Sequence, residues 1–144
     1  MTSIFSRIIA GEIPGRFVWE DPHCVAFLTI APLTPGHALV VPREEIEQWT
    51  DASSELFTHL TRVAQIIGRA QQQEWKSPRI GLLAQGFEVA HLHLHVWPAS
   101  STADFDIDRA DHDPSPERMD DDAARLRDRL RSMGHGSHVP DGKH

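Results

Sequence analysis

Cysteine is nearly missing from this chain: of 144 residues only Cys24 is one, which excludes an intrachain disulfide and leaves no thiolate cluster for zinc. Long hydrophobic runs are missing too. No stretch approaches the roughly 20 apolar residues that cross a bilayer, and the opening Met1-Thr2-Ser3-Ile4-Phe5-Ser6-Arg7 meets a charge before a secretory signal could form. Positive charge is scarce, with 14 Lys and Arg against 21 Asp and Glu and a formal net charge of −7. Nucleic acids are held by many Lys and Arg contacts to phosphate, so a long polyanion is a disfavoured partner. A single small anion can still bind in a pocket of histidines and backbone amides. These absences point to a cytoplasmic protein with neither a membrane nor a nucleic-acid partner.

What is present suits one globular domain, since 40% of the residues are apolar and 24% charged. Ile4, Phe5, Ile8 and Ile9 have helical spacing and stop at Gly11. Arg16 to Glu20 and Cys24 to Leu28 flank Asp21-Pro22-His23 and predict a hairpin; His37 to Val41, closed by Pro42, predicts a third strand. Leu56, Leu60, Val63, Ile67 and Ala70 form the stripe of a long helix, with Asp51 as its cap and Glu55 in its first turn. Arg79 to Ala84 and Val89 to Trp97 complete the strands around a Gln85-Gly86 turn. Short connections favour an α+β fold, an antiparallel sheet with helices on one face.

Past Pro98 the composition changes. Residues 100–122 are rich in Asp, Ser and Pro, and Ser115-Pro116-Glu117 starts a helix to about Met133. Its apolar positions, Met119, Ala123, Leu126 and Leu130, are sparse, which predicts a helix on the surface or against a partner within an acidic extension over 100–133. Asp120, Asp121 and Asp122 read as helix-start or solvated groups. Residues 134–144 read as a disordered tail with solvated His135, His138 and His144.

The chemistry is concentrated in His91-Leu92-His93-Leu94-His95-Val96-Trp97. In a strand, alternate side chains share a face, so three imidazoles would project together, roughly 6 to 7 Å apart by the strand rise. Burying three titratable rings is costly unless each finds a partner. The pattern therefore marks a site, supplying a nucleophile, a proton donor or metal ligands near neutral pH. Three clustered rings cannot all carry protons cheaply, which predicts a neutral nucleophile beside a charged neighbour.

This segment resembles the signature of the histidine-triad (HIT) family of nucleotide hydrolases and transferases, His-φ-His-φ-His-φ-φ with φ apolar. Three further segments agree in order and spacing: Ser3-Ile-Phe-Ser-Arg-Ile-Ile-Ala-Gly-Glu-Ile-Pro14, Trp19-Glu-Asp-Pro-His-Cys-Val-Ala-Phe-Leu28 and Pro35-Gly-His-Ala-Leu-Val-Val-Pro42. The resemblance covers residues 3 to about 98, so 1–99 is read as a HIT domain. It implies about five antiparallel strands, a homodimer with a continuous sheet, no cofactor, and a small nucleotide derivative as substrate. It also implies that His93 attacks the α-phosphate to form a nucleotidyl-histidine that water hydrolyses, with His95 contacting the phosphate, His91 supporting His93, and His37 orienting the site. Phe5, Ile8, Phe27 and Ile30 would form the slot for the base, with Leu28, Thr29, Leu83, Glu88 and Val89 around ribose and phosphate.

The chain departs from the family pattern in two places. Many bacterial members hold a structural zinc through a Cys-x-x-Cys pair, a later histidine and the first triad histidine. Here Ser3, Ser6 and Glu45 stand at the first three positions, and His91 alone does not make a site, so no metal is expected. Near the phosphate, Thr29 replaces an acidic ribose contact and Glu88 replaces a hydroxyl; a carboxylate there must turn away, be protonated or act as an acid. The leading reading is a metal-independent phosphoramidase or nucleotidyl hydrolase, favoured over transfer because His95 stands where transferases usually carry Gln. Dinucleoside polyphosphate hydrolysis is a close variant. Two alternatives stay open: a nucleotide-binding regulator with little turnover, and a metal-binding module using His91, His93 and His95.

Overall fold

The computed structural model describes residues 2–141. Ser3 has an extended backbone, and its hydroxyl accepts a hydrogen bond from Ser6 N–H, which starts helix α1 (Ile4–Ile9). Strands β1 (Phe17–Glu20) and β2 (Cys24–Leu28) form the expected antiparallel hairpin, and β3 (Ala38–Pro42) pairs with β2. The long helix α2 (Ser54–Trp75) is capped by Ser53, whose hydroxyl accepts from Leu56 N–H. Asp51 is not the cap; it ends a short 3₁₀ turn, Trp49–Asp51. Strands β4 (Arg79–Leu83) and β5 (Leu94–Ala99) complete a fully antiparallel sheet in the order β1-β2-β3-β5-β4.

Period-two alternation divides the sheet into two faces. Cys24, Ala26, Leu28, Ala38, Val40, Leu94 and Val96 pack against Leu60, Val63, Ile67 and Ala70 of α2. Phe17, Val25, Phe27, Leu39 and Val41 line the other face, where Phe5 of α1 joins them. The sequence predicts helices on one face of the sheet; the long helix α2 takes that face, whereas short α1 lies over the opposite one. It does so because its buried side chain, Phe5, meets Phe27 edge-on at 5.6 Å.

The C-terminal segment corrects the sequence reading. Helix α3 (Pro116–Leu130) starts at the predicted Ser115 cap with Pro116 in its first turn. Met119, Ala123, Leu126 and Leu130 are not on the surface but buried in the main core, where full burial of a Leu or Met contributes about 1.5–3 kcal/mol. A sparse stripe suffices because α2 supplies the facing surface. Arg127, buried on α3, donates to the carbonyl of Phe17 at 2.7 Å and so covers the outer edge of β1. Asp122 is buried and its carboxyl is pushed up by that burial, whereas Asp120 pairs with Arg16 at 2.8 Å.

Residues 131–138 continue as helical turns rather than a disordered tail. His138 stacks on Trp19 at 4.7 Å and His135 sits 5.7 Å from the same ring, so neither is simply solvated. His144 lies outside the described residues. No helix among the described residues is long and apolar enough to cross a membrane.

Candidate active site

Only part of the histidine segment is a strand. The sequence predicts Val89 to Trp97, but β5 begins at Leu94, where it first pairs with Val40 of β3. Before Leu94 the backbone groups have other partners: Leu92 N–H donates to the Ile46 carbonyl at 2.7 Å, the His91 carbonyl accepts from His93 Nδ1 at 2.7 Å, and that of Pro42 accepts from His91 Nε2 at 2.8 Å. The alternation nevertheless persists. Leu92, Leu94 and Val96 enter the core, and the rings of His93 and His95 come within 4.9 Å, closer than strand rise alone predicts. Leu39 and Leu83 flank His95 in register on the two neighbouring strands.

Hydrogen bonds assign the protons. Leu33 N–H donates to His37 Nδ1 at 3.0 Å, so that nitrogen must be an acceptor and a neutral His37 carries its proton on Nε2. Nε2 lies 3.0 Å from His95 Nδ1 and donates to it, which leaves His95 with Nε2–H as its remaining donor. His93 uses Nδ1–H on the His91 carbonyl and keeps a lone pair on Nε2. Burial, then the neighbouring His95, pushes the His37 pKa down to about 3; burial, then His93, pushes that of His95 to about 4. His93 is also lowered, by burial first, with its bond to the His91 carbonyl opposing. The expected charged neighbour is therefore not His95 or His37. Both are neutral at pH 7, and complementary tautomers replace charge separation.

Two elements hold these rings. Gln71 of α2, fully buried, donates through Nε2 to the carbonyls of Gly36 (2.9 Å) and Val96 (2.8 Å), the residues next to His37 and His95. Gly36 has φ +86°, and a Cβ there would come within 2.5 Å of the Trp75 ring, so the turn presenting His37 needs glycine.

The expected pocket residues separate into groups. Phe5, Ile8, Phe27 and Val89 lie together on the triad's side of the sheet, and the Phe5 ring meets His93 edge-on at 4.8 Å. Leu28 faces the opposite core instead, because it is one residue out of phase with Phe27. Ile30 is 79% exposed and does not join the slot. Thr29 is buried; its hydroxyl accepts from Ala31 N–H at 3.2 Å, a local turn contact. Glu88 has turned out into solvent, and its charge favours protonated His93. A cleft of about 230 Å³ opens at His93, walled by Glu47, Gln48, Trp49, Gln85 and Phe87. The stretch 47–49 carries no motif and reaches the site only through the fold, so sequence reasoning missed it.

Ser3, Ser6, Glu45 and His91 do converge. Ser3 Oγ lies 2.6 Å from His91 Nδ1, Ser6 Oγ donates to Glu45 Oε1 at 2.8 Å, and Ser3 N–H donates to the same oxygen at 2.6 Å. Two hydroxyls, one carboxylate and one imidazole already bonded on both nitrogens are a poor zinc donor set. Zinc does not fit here.

A second cluster lies elsewhere, where donor atoms of Asp21, Cys24 and His59 all fall within 4.8 Å of one another. Asp21 accepts from Trp19 Nε1 (2.8 Å), His59 Nε2 (2.7 Å), the Cys24 thiol (3.4 Å) and the backbone N–H groups of His23 (2.7 Å) and Cys24 (2.9 Å). Burial pushes its pKa up, but these bonds outweigh it and hold the carboxyl well below its usual range. The Cys24 thiol is pushed far up by burial and by Asp21.

Comparison with known proteins agrees with this geometry. A family model described as the HIT domain matches residues 10–102. The Bacillus subtilis "Protein hit" is 36% identical over 106 residues, covering 70% of this chain and 73% of that protein. Among solved structures, a Zn-bound histidine triad family protein from Mycobacterium smegmatis superposes with a TM-score of 0.78 at 26% identity, over 94% of this chain and 98% of that one. A HIT family hydrolase from Legionella pneumophila superposes with a TM-score of 0.58 at 29% identity, over 68% and 93%.

Proposed function

The chain belongs to the HIT family, and from that premise we propose that it hydrolyses a small nucleotide derivative at the α-phosphate, without a metal, through a nucleotidyl-histidine. One observation carries this reading: the relay from Leu33 N–H through His37 and His95 leaves a donor on His95, beside an unprotonated Nε2 on His93. The lone pair of His93 Nε2 attacks phosphorus, the bond to the leaving group breaks, and the leaving group takes up a proton from solvent water in the open cleft. His95 Nε2–H donates to a non-bridging oxygen as charge builds there. Water then attacks the phosphorus of the adduct, releasing the nucleoside monophosphate and restoring His93. A neutral nucleophile is available at pH 7 because burial lowers its pKa. Phe5 and Phe27, with Ile8 and Val89, offer the apolar wall for the base.

The test is direct. Protein incubated with nucleoside phosphoramidates or adenylates and then quenched should carry a base-stable, acid-labile nucleotidyl adduct on His93. An adduct on another residue, or none together with no turnover, favours the alternative of a nucleotide-binding regulator. That alternative is supported by the Thr29 hydroxyl, which is engaged by Ala31 N–H rather than aimed at a sugar. The proposal includes a cytoplasmic setting and a homodimer through the edge beyond β4, where Leu82 is 59% and Phe87 92% exposed. Sedimentation should then give about twice the 16.2 kDa chain mass.

A further inference from the structure

His93 is aimed by the carbonyl of His91, so whatever fixes His91 also fixes the nucleophile. The His91 ring is fully buried and bonded on both sides. Its Nε2–H goes to Pro42 O at 2.8 Å, so in the neutral ring Nδ1 is the acceptor of the Ser3 hydroxyl proton at 2.6 Å. The Ser3 oxygen in turn accepts Ser6 N–H at 3.0 Å, the first-turn cap of α1. Glu45, its pKa lowered first by Ser3 N–H and then by the Ser6 hydroxyl, receives both and ties the start of the helix to the loop after β3. With Ser6 Oγ–H committed to Glu45, Ser3 has one proton to give and two acceptors in reach, Ser6 Oγ at 3.3 Å and His91 Nδ1 at 2.6 Å; the shorter contact directs it to His91. A six-residue helix is too short to hold itself in place. Yet α1 carries Phe5, which meets both His91 (5.8 Å) and His93 (4.8 Å).

We infer that Ser3, Ser6 and Glu45 are positioning residues for the reaction at His93: a metal-free strap of hydrogen bonds, at the place where zinc does not fit, that locks His91 between Pro42 and Ser3. The inference rests on the hydrolase reading for its kinetic consequences but not for its structural ones. Misplacing a nucleophile by about an ångström costs up to about a hundredfold. Ser3→Ala removes the donor to His91 and should therefore lower kcat about tenfold, with KM changed less than about twofold. Ser3→Thr keeps hydroxyl and cap and should restore kcat. Glu45→Ala, one bond further out, should fall between Ser3→Ala and wild type, with Glu45→Gln nearer wild type.

Were the strap only scaffolding for α1, melting temperature would drop and KM would rise while kcat stayed. A second readout needs no substrate: the His93 Nδ1 proton should exchange with solvent at least about tenfold faster in Ser3→Ala than in wild type, by NMR. Unchanged kcat in Ser3→Ala, failure of Ser3→Thr to restore it, or unchanged exchange overturns the inference. Wild-type protein inactive on every substrate sinks the hydrolase reading instead, and the exchange measurement still decides the strap.

Discussion

At the triad the rings of His37 and His95 bond to each other, and those of His37 and His93 bond to backbone groups, whereas around Asp21 the ring of His59 bonds to a carboxylate. Both groups are largely buried, and both assemble residues far apart in sequence. They differ in what is left over. At the triad His37 accepts from Leu33 N–H and donates to His95, His93 donates to the His91 carbonyl, and what remains is a lone pair on His93 and a donor on His95. Around Asp21 five donors converge on one carboxylate and both its oxygens are taken. The first arrangement keeps reactive capacity next to a cleft; the second spends it on closing the β1–β2 hairpin onto α2. Similar residue types give chemistry in one place and structure in the other, according to whether a buried anion is there to absorb the protons.

The largest effect that should separate the two clusters is on turnover. His93→Ala should lower kcat by at least about 10⁴-fold, and His95→Ala by about 10²-fold through lost phosphate stabilisation, each with a smaller loss of Tm than Asp21→Ala because at most one buried donor is stranded. Retained activity in His93→Ala would dissolve the distinction. Asp21→Ala should do the opposite, leaving kcat within about twofold while costing about 3 kcal/mol for five stranded donors, roughly 10 °C in Tm.

Acid should tell the clusters apart more finely. The triad rings have folded pKa values below the ordinary 6.5 (His37 about 3, His95 about 4), so the unfolded chain binds protons first. Their stabilisation is complete above pH 6.5 and is lost as pH falls through 4 and 3. Asp21 is held below its ordinary 3.8, so its contribution is present above that value and is lost only below it. Wild-type Tm should decline in two stages, and Asp21→Asn should keep the first and lose the second. A single stage common to both proteins would mean the triad does not resist protonation.

The smallest effect concerns metal. Neither Ser3, Ser6, Glu45 and His91 nor the saturated Asp21 group offers zinc an open set of ligands, so protein purified without a histidine tag should contain well under one zinc per chain. Near-stoichiometric, chelator-resistant metal lost in Cys24→Ser would make the Asp21 cluster a binding site after all.

The periodicities in the chain already determine much of this molecule. The hairpin, the strand at Ala38–Pro42, the stripe of α2 and the common orientation of the triad follow from side-chain periods of 2 and 3.6, which depend on a few neighbouring residues and survive any tertiary context. Ser115 and Pro116 mark the start of α3 for the same local reason. What the fold alone decided is where protons and partners lie. The tautomer of His93 depends on a carbonyl two residues back, but that of His37 depends on Leu33 N–H and that of His95 on His37, 58 residues away. Burial then removes the charge that the sequence suggested for a triad neighbour. Likewise the apolar positions of α3 reveal a helix but not that α2 covers it, Leu28 and Ile30 leave the slot by phase and exposure, and Glu47 and Trp49 reach the cleft with no motif to announce them. Local sterics are written over a few residues, whereas desolvation and hydrogen-bond partnership are set by contacts made only after the chain has closed on itself.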